Sequence, residues 1–150
     1  MPPPGQNTHS AGRLGDQLCF ALYAATNAIT RAYRPLLDDV GITYPQYLVL
    51  LVVWEHRSRR LGDIAHDLRL ASHAISPIVD RLEDAGLVRR DQDPADGRVV
   101  IVELTESGAA LEGKAAAVQE ALRCQTSLDD AEVIRLRTEL IDLADNLASH

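Results

Sequence analysis

Aromatic residues, cysteine and lysine are all scarce in this 150-residue chain, and each scarcity excludes something. Aromatics make up 4 % of the residues while 46 % are hydrophobic, so a core must be built chiefly from Leu, Val, Ile and Ala. The length suffices for one domain with a real core. The two cysteines, Cys19 and Cys124, lie far apart, whereas a structural zinc site needs closely spaced pairs. In a reducing compartment a permanent disulfide between them is not expected, and two inert buried thiols are the plain reading. No apolar run approaches the roughly 18 residues of a membrane span. The longest, Tyr47 to Trp54, suits a buried helix. The opening "MPPPGQNTHSAG" lacks the basic and apolar regions of a signal peptide. Residues 1–12 read as a flexible arm ahead of one domain over 13–150, in a cytoplasmic protein without membrane contact.

A single lysine, Lys114, stands against fourteen arginines, a bias that a GC-rich genome also produces. The net charge of −7 argues against a nucleic-acid partner, but its distribution does not. Residues 101–150 carry ten acids and four bases. Residues 56–100 hold eight arginines against eight acids, with Arg57, Arg59, Arg60, Arg89, Arg90 and Arg98 in tight groups. Local fields, not the total, decide what a face can bind.

Apolar spacings of three and four at Leu18, Leu22, Ala25, Ile29, Ala32 and Leu36 predict a helix from about Leu14 to Asp38, with Pro35 kinking or ending it and Gly41 breaking the helix. "TYPQ" restarts a helix to about Glu55, with Thr43 as N-cap, Pro45 in the first turn and Gln46 completing a capping box. "RSRR" reads as a loop. Leu61 to Leu68 is a short helix, and Ser72 is expected to cap the next, which ends at Gly86. Two short helices joined by a tight turn are a helix-turn-helix. The strand-like stretches Leu87–Gln92 and Arg98–Leu104, with "DPADG" between them, form a hairpin. The fold class is therefore mainly α with a small β-hairpin wing: a winged helix over about 44–104, flanked by helices over about 13–38 and 105–148. Thr105 opens the fifth helix, to about Cys124, and Ser127 with Asp130 caps the sixth. In that last helix Val133, Leu136, Leu140, Leu143 and Leu147 make an apolar stripe that fits either the same chain or a dimer seam, and the dimer is favoured.

On a helical wheel of "SHAISPIVDRLEDAG", Ile75, Ile78, Val79 and Leu82 face the core. Base edges in double-stranded DNA would be met near the helix start by Ser72, His73 and Ser76, with Arg81 further along. A solvated helix face accounts for the same pattern. Pro77, one turn in, removes a backbone hydrogen bond. At the wing, Asp96 can hold the Arg98 guanidinium for entry into a minor groove. An exposed ion pair worth under about 1 kcal/mol explains this pair equally well. Arg89 and Arg90 are candidates for phosphate contacts.

These residues resemble a known family. "DIAHDLRLASHAISPIVDRLEDAGLVRRDQDPADGRVVIVELTESG" is similar to the winged helix of MarR-type bacterial regulators. "LCFALYAATNAITRAYRPLLDDVGITYPQYLVLLVVWE" closely resembles the organic hydroperoxide resistance repressors within it. The similarity runs from about Gln17 to Gly108 and is weaker in the last two helices. It implies a homodimeric repressor that binds operator DNA when reduced. It makes Cys19 the reactive thiol, with Tyr33 and Tyr44 of the partner subunit bonding it and Cys124 of the partner as the resolving thiol of a two-cysteine type. The chemistry agrees. A thiolate, not a thiol, attacks a peroxide. The helix start favours an anion there, and phenol donors lower the thiol's pKa. Phe20 and Leu22 would make the pocket greasy enough for an organic hydroperoxide, and Tyr23 is a third candidate phenol; Tyr47 reads as core. No cofactor or metal is implied. The rivals are a repressor governed by a small aromatic ligand, a thiol peroxidase and, least favoured, a metal sensor using His56, His66 and His73.

Overall fold

The structure, a computed structural model, describes residues 12–150, so the expected arm lies, apart from Gly12, outside the described residues. After a 3-10 turn at Leu14–Asp16 come α1 (Leu18–Asp38), α2 (Tyr44–His56), β1 (Ser58–Arg60), α3 (Leu61–Asp67) and α4 (Ser72–Asp84). They are followed by β2 (Val88–Asp93), β3 (Asp96–Leu104), α5 (Glu106–Thr126) and α6 (Asp130–Ala148). The strands form one antiparallel sheet in the order β1-β3-β2. This is a winged helix: α3 and α4 are the helix-turn-helix, and β2 with β3 is the wing. No described helix is long and apolar enough to cross a membrane.

The capping box at α2 forms as its sequence demands. The Thr43 side chain accepts from the Gln46 N–H at 3.3 Å, and the Thr43 N–H donates to the Gln46 side chain at 2.9 Å. Behind it Tyr47, Val49, Leu50, Val52, Val53 and Trp54 are all buried. A helix apolar on every side must be wrapped by the rest of the protein. Ile64, Ile75, Val79, Leu82, Val88 and Val102 close around the same core. The end of α4 turns through Gly86 at φ +76°, a left-handed position that favours glycine, and the Leu87 N–H donates back to the Leu82 carbonyl at 3.0 Å.

Gly108 joins the wing to α5. Its carbonyl accepts from the Trp54 indole N–H at 2.9 Å, and a Cβ there would lie 2.1 Å from the Leu87 carbonyl oxygen. Gly108→Ala is therefore expected to lower stability by about 2–3 kcal/mol in urea unfolding. Gly113→Ala, in the same helix with no atom within 4 Å of the added carbon, should instead stabilise, by roughly 0.5–1 kcal/mol. Equal effects from the two would contradict the close approach.

Several expectations need correction. "RSRR" is not wholly loop: Ser58, Arg59 and Arg60 pair with Glu103, Val102 and Ile101 of β3. Three residues are too few for an alternating pattern to be visible. The wing strands run further than expected, to Asp93 and from Asp96, leaving Pro94 and Ala95 as the turn. Pro35 does not end α1, and Pro77 lies inside α4 as expected; both are on exposed faces, where a carbonyl without its helical partner can meet water. Ser72 is the first helical residue, preceded by Ala71 as an N-cap that makes no side-chain bond. Ser127 does not cap α6 but closes α5 in the left-handed region. The α6 cap is Asp129, in a reciprocal box with Glu132.

The apolar stripes of the outer helices are not covered within the chain. Only Tyr33 and Leu37 of α1 are buried, and no residue of α6 is. Every large hydrophobic residue that is exposed among the described ones, Leu70 excepted, lies in the 3-10 turn and α1 or in α6. Leu18 is 59 % exposed, Ile29 42 % and Leu136 46 %.

Candidate functional site

At the reading head, α4 buries Ile75, Val79 and Leu82 and turns Ser72, His73 and Arg81 outward, with Ser76 half-buried. Ser72 is not the cap, and its hydroxyl makes no hydrogen bond among the described residues. The wing folds beside it, and Ser72, Arg60 and Arg98 share a cleft of about 350 Å³. The Arg98 side chain is 92 % exposed and held, among the described residues, only by Asp96, whose Oδ1 accepts from the Arg98 backbone N–H at 3.0 Å and from Nε at 3.3 Å. This is a cation aimed into solvent by a carboxylate at its base.

Arg59, Arg60, Arg69, Arg89 and Arg90 are paired with carboxylates. Arg90 is bound to Asp80 and Glu83 of α4, and its backbone N–H is the chief cause holding the Glu83 carboxyl below the usual range. That triad clamps the wing to the reading helix. Arg89 pairs with Glu103 at 2.7 Å and with Asp91 at 3.5 Å. Arg59 forks onto Asp67, and Arg60 meets the buried Asp93 at 3.2 Å. Arg69, in the turn between α3 and α4 at φ +58°, reaches Asp145 of α6 at 2.7 Å and so ties the head to the last helix.

Cys19 and Cys124 are both free and exposed, which overturns the reading of buried thiols. Cys19 is the second residue of α1, nearer the helix end than one full turn. The helix end leaves its first N–H groups unpaired, an environment that favours an anion. Phe20 and Tyr23, 39 % and 67 % exposed, flank it on a surface left open within the chain. No hydrogen bond joins Cys19 to any tyrosine of its own chain among the described residues.

The phenols gather elsewhere. The ring centroids of Tyr33 and Tyr44 lie 5.1 Å apart, and those of Tyr33 and Tyr47 5.5 Å. Burial raises all three phenols above their ordinary value, Tyr33 furthest, with Tyr47 beside it as a further cause. They therefore remain O–H donors, the form an anion can use. Tyr44 borders a cleft of about 390 Å³ with Thr30 and Arg34. Tyr33 borders another of about 340 Å³ with Gln119, Glu120 and Arg123. The Cys124 thiol donates to Glu120 Oε1 at 3.8 Å, and Arg123 grips the same carboxylate at 3.1 Å while reaching Asp130 at 2.8 Å. Tyr33 and the immediate neighbours of Cys124 thus share one cleft.

Comparison with known proteins decides the lineage. Residues 42–100 match the model of the MarR family. The organic hydroperoxide resistance transcriptional regulator of Bacillus subtilis (strain 168) is 36 % identical over 142 residues, 95 % of this chain and 97 % of that one. The chain belongs to the MarR family. Another relative, the HTH-type transcriptional regulator TtmR of Methylorubrum extorquens (strain PA1), is 42 % identical over 89 % of this chain and 69 % of its own. Among solved structures, reduced AbfR bound to DNA superposes with a TM-score of 0.74 at 35 % identity, covering 91 % of this chain and 95 % of that one. A disulfide-formed AbfR gives 0.62 at 34 % identity, covering 91 % of each. This MarR protein is thus a transcriptional regulator by kinship, as the Bacillus and Methylorubrum relatives are named, and neither is named as an enzyme.

Sequence reasoning missed the Arg90 clamp, the Arg69–Asp145 tie and the roles of Gln119 and Glu120. The clamp and the tie depend on side chains meeting across elements, which spacing along one helix does not reveal, whereas Glu120 meets Arg123 and Cys124 at helical spacing within α5. A signal was present for the clamp: Asp80 and Glu83 lie at helical spacing on α4, a face that can meet a cation.

Proposed function

We propose that this chain is one subunit of a homodimeric repressor that holds operator DNA when reduced and releases it when organic hydroperoxides oxidise Cys19. The uncovered apolar faces of α1 and α6 support the dimer. The observation that carries the thiol mechanism is the shared cleft of Tyr33, Glu120 and Arg123. A thiolate from a second subunit entering there meets a phenol donor and the surroundings of Cys124 at one place.

The chemistry runs in two steps. The Cys19 thiolate attacks one peroxide oxygen, the O–O bond breaks, and the alkoxide takes a proton and leaves as the alcohol; Cys19 becomes a sulfenic acid. The thiol of Cys124 in the partner subunit then attacks that sulfur, a disulfide forms, and water departs. In this reading Tyr33 and Tyr44 hold the thiolate, Tyr23 and Phe20 complete the pocket wall, and Ser72, His73, Ser76, Arg81 and Arg98 face DNA. Arg89 and Arg90, already paired, brace the wing and give phosphates only what their ion pairs spare. A cross-link between subunits rotates two heads that fit half-sites one helical turn apart, and binding that depends on both is lost.

Support comes from the kinship with the hydroperoxide resistance regulator. Solved forms of AbfR include a reduced and an overoxidised form on DNA and a disulfide form. The test is operator binding by fluorescence anisotropy after cumene hydroperoxide or salicylate. Release by the peroxide alone supports the reading. Release by salicylate alone favours the rival in which Arg34, in the cleft beside Tyr44, holds an aromatic acid.

Cys124→Ser should still lose its Cys19 thiol to peroxide but form no covalent dimer on a non-reducing gel. It should accumulate sulfinic acid that dithiothreitol does not reverse, and keep DNA at doses that empty the unaltered protein. Full release with reversal by reductant would remove Cys124 from the mechanism.

A further inference from the structure

Tyr47 is 1 % exposed, and its hydroxyl is buried without a hydrogen-bond partner of good geometry among the described residues. An unpaired buried hydroxyl is unfavourable, and phenylalanine would fill the same space without it. Its setting is specific. The Tyr47 ring lies 5.5 Å from Tyr33, 6.3 Å from Tyr44 and edge-on to Trp54 at 6.4 Å. The Tyr33 and Tyr47 hydroxyls stand near enough to influence each other's ionisation, as does Gln119 that of Tyr47. Gln119 lines both the cleft that holds Tyr33 and a neighbouring one of about 210 Å³ that holds Tyr47.

We propose that Tyr47 is a positioning residue for the thiol sensor, its O–H donating to the Tyr33 oxygen so that the one Tyr33 proton is turned outward to the thiolate in the cleft. The inference rests on the reading of Cys19 given above. Proton counting sets the direction. A phenol has one donor. If Tyr33 donated to Tyr47, it would have nothing left for a sulfur anion. With Tyr47 as donor, both hydroxyls are satisfied once the thiolate is in place. A hydroxyl that accepts a hydrogen bond also becomes a stronger donor. The unpaired hydroxyl is then a feature of the separate subunit that assembly and sulfur binding complete.

The test uses the full-length dimer in a Cys124→Ser background, so that Cys19 alone reports. Its alkylation by iodoacetamide is measured against pH, and its oxidation by cumene hydroperoxide is timed. Tyr47→Phe should move the alkylation midpoint upward and slow oxidation by about three- to tenfold, with stability to urea unchanged or raised. Tyr33→Phe should do more, and the double variant no more than Tyr33→Phe alone. A Tyr47→Phe protein that is more stable but has an unmoved midpoint and rate would overturn the proposal, as would additive effects in the double variant. Failure of the underlying reading shows differently: Cys19 of the unsubstituted Tyr47 protein would itself be inert to the peroxide, and the proposal would fall with it.

Discussion

Cys19→Ser should bind operator DNA as tightly as the unaltered protein and stay bound at hydroperoxide doses at least about a hundredfold higher than those that release it. Serine keeps the shape at the start of α1 and offers a hydroxyl whose pKa is far too high for the phenols and helix end to make it an anion. The substituted position is exposed within the chain, so folding should be indifferent to it. The measurement is anisotropy of labelled operator across a titration of cumene hydroperoxide. Release at the unaltered dose would place the sensor elsewhere, since Cys124 would then be the sole remaining thiol.

Arg98→Ala should weaken operator binding roughly fivefold per wing, about twenty-fivefold for a dimer using both, with the rate of Cys19 oxidation unchanged. The expectation follows from geometry. Of the wing arginines, Arg89 and Arg90 are locked onto carboxylates of the sheet and of α4, whereas Arg98 projects from the turn with Asp96 behind it. The slope of log affinity against log salt should become shallower by about one for each phosphate that is no longer neutralised. An unaltered affinity and slope would take the wing out of the DNA interface.

Much of the fold was legible along the chain because it is written in local spacings. The Thr43 capping box, the apolar α2 and the buried face of α4 each follow from residues within a few positions of one another. The three-residue β1 was illegible because pairing with β3, not its own pattern, makes it a strand. Ser127 misled because a serine before acids looks like an N-cap, while Asp129 and Glu132 were better placed to form the box. For the site, Cys19 and the tyrosines stood out by their rarity and by family resemblance. Tyr47 was read as core, which its burial supports, but its unpaired hydroxyl beside Tyr33 became apparent only from tertiary placement. The stripe on α1 was correctly apolar, yet nothing in its period shows that most of it would be left exposed within the chain.

The coupling of thiol chemistry to DNA release can be followed on one sample as cumene hydroperoxide is added in sub-stoichiometric steps. Two quantities are read at each step: the fraction of Cys19 remaining as free thiol, by mass spectrometry, and the fraction of operator still bound. Both should fall together and be exhausted near one equivalent of peroxide per subunit. Operator that stays bound with Cys19 fully oxidised, or leaves while Cys19 is still a thiol, would contradict a sensor built on that sulfur.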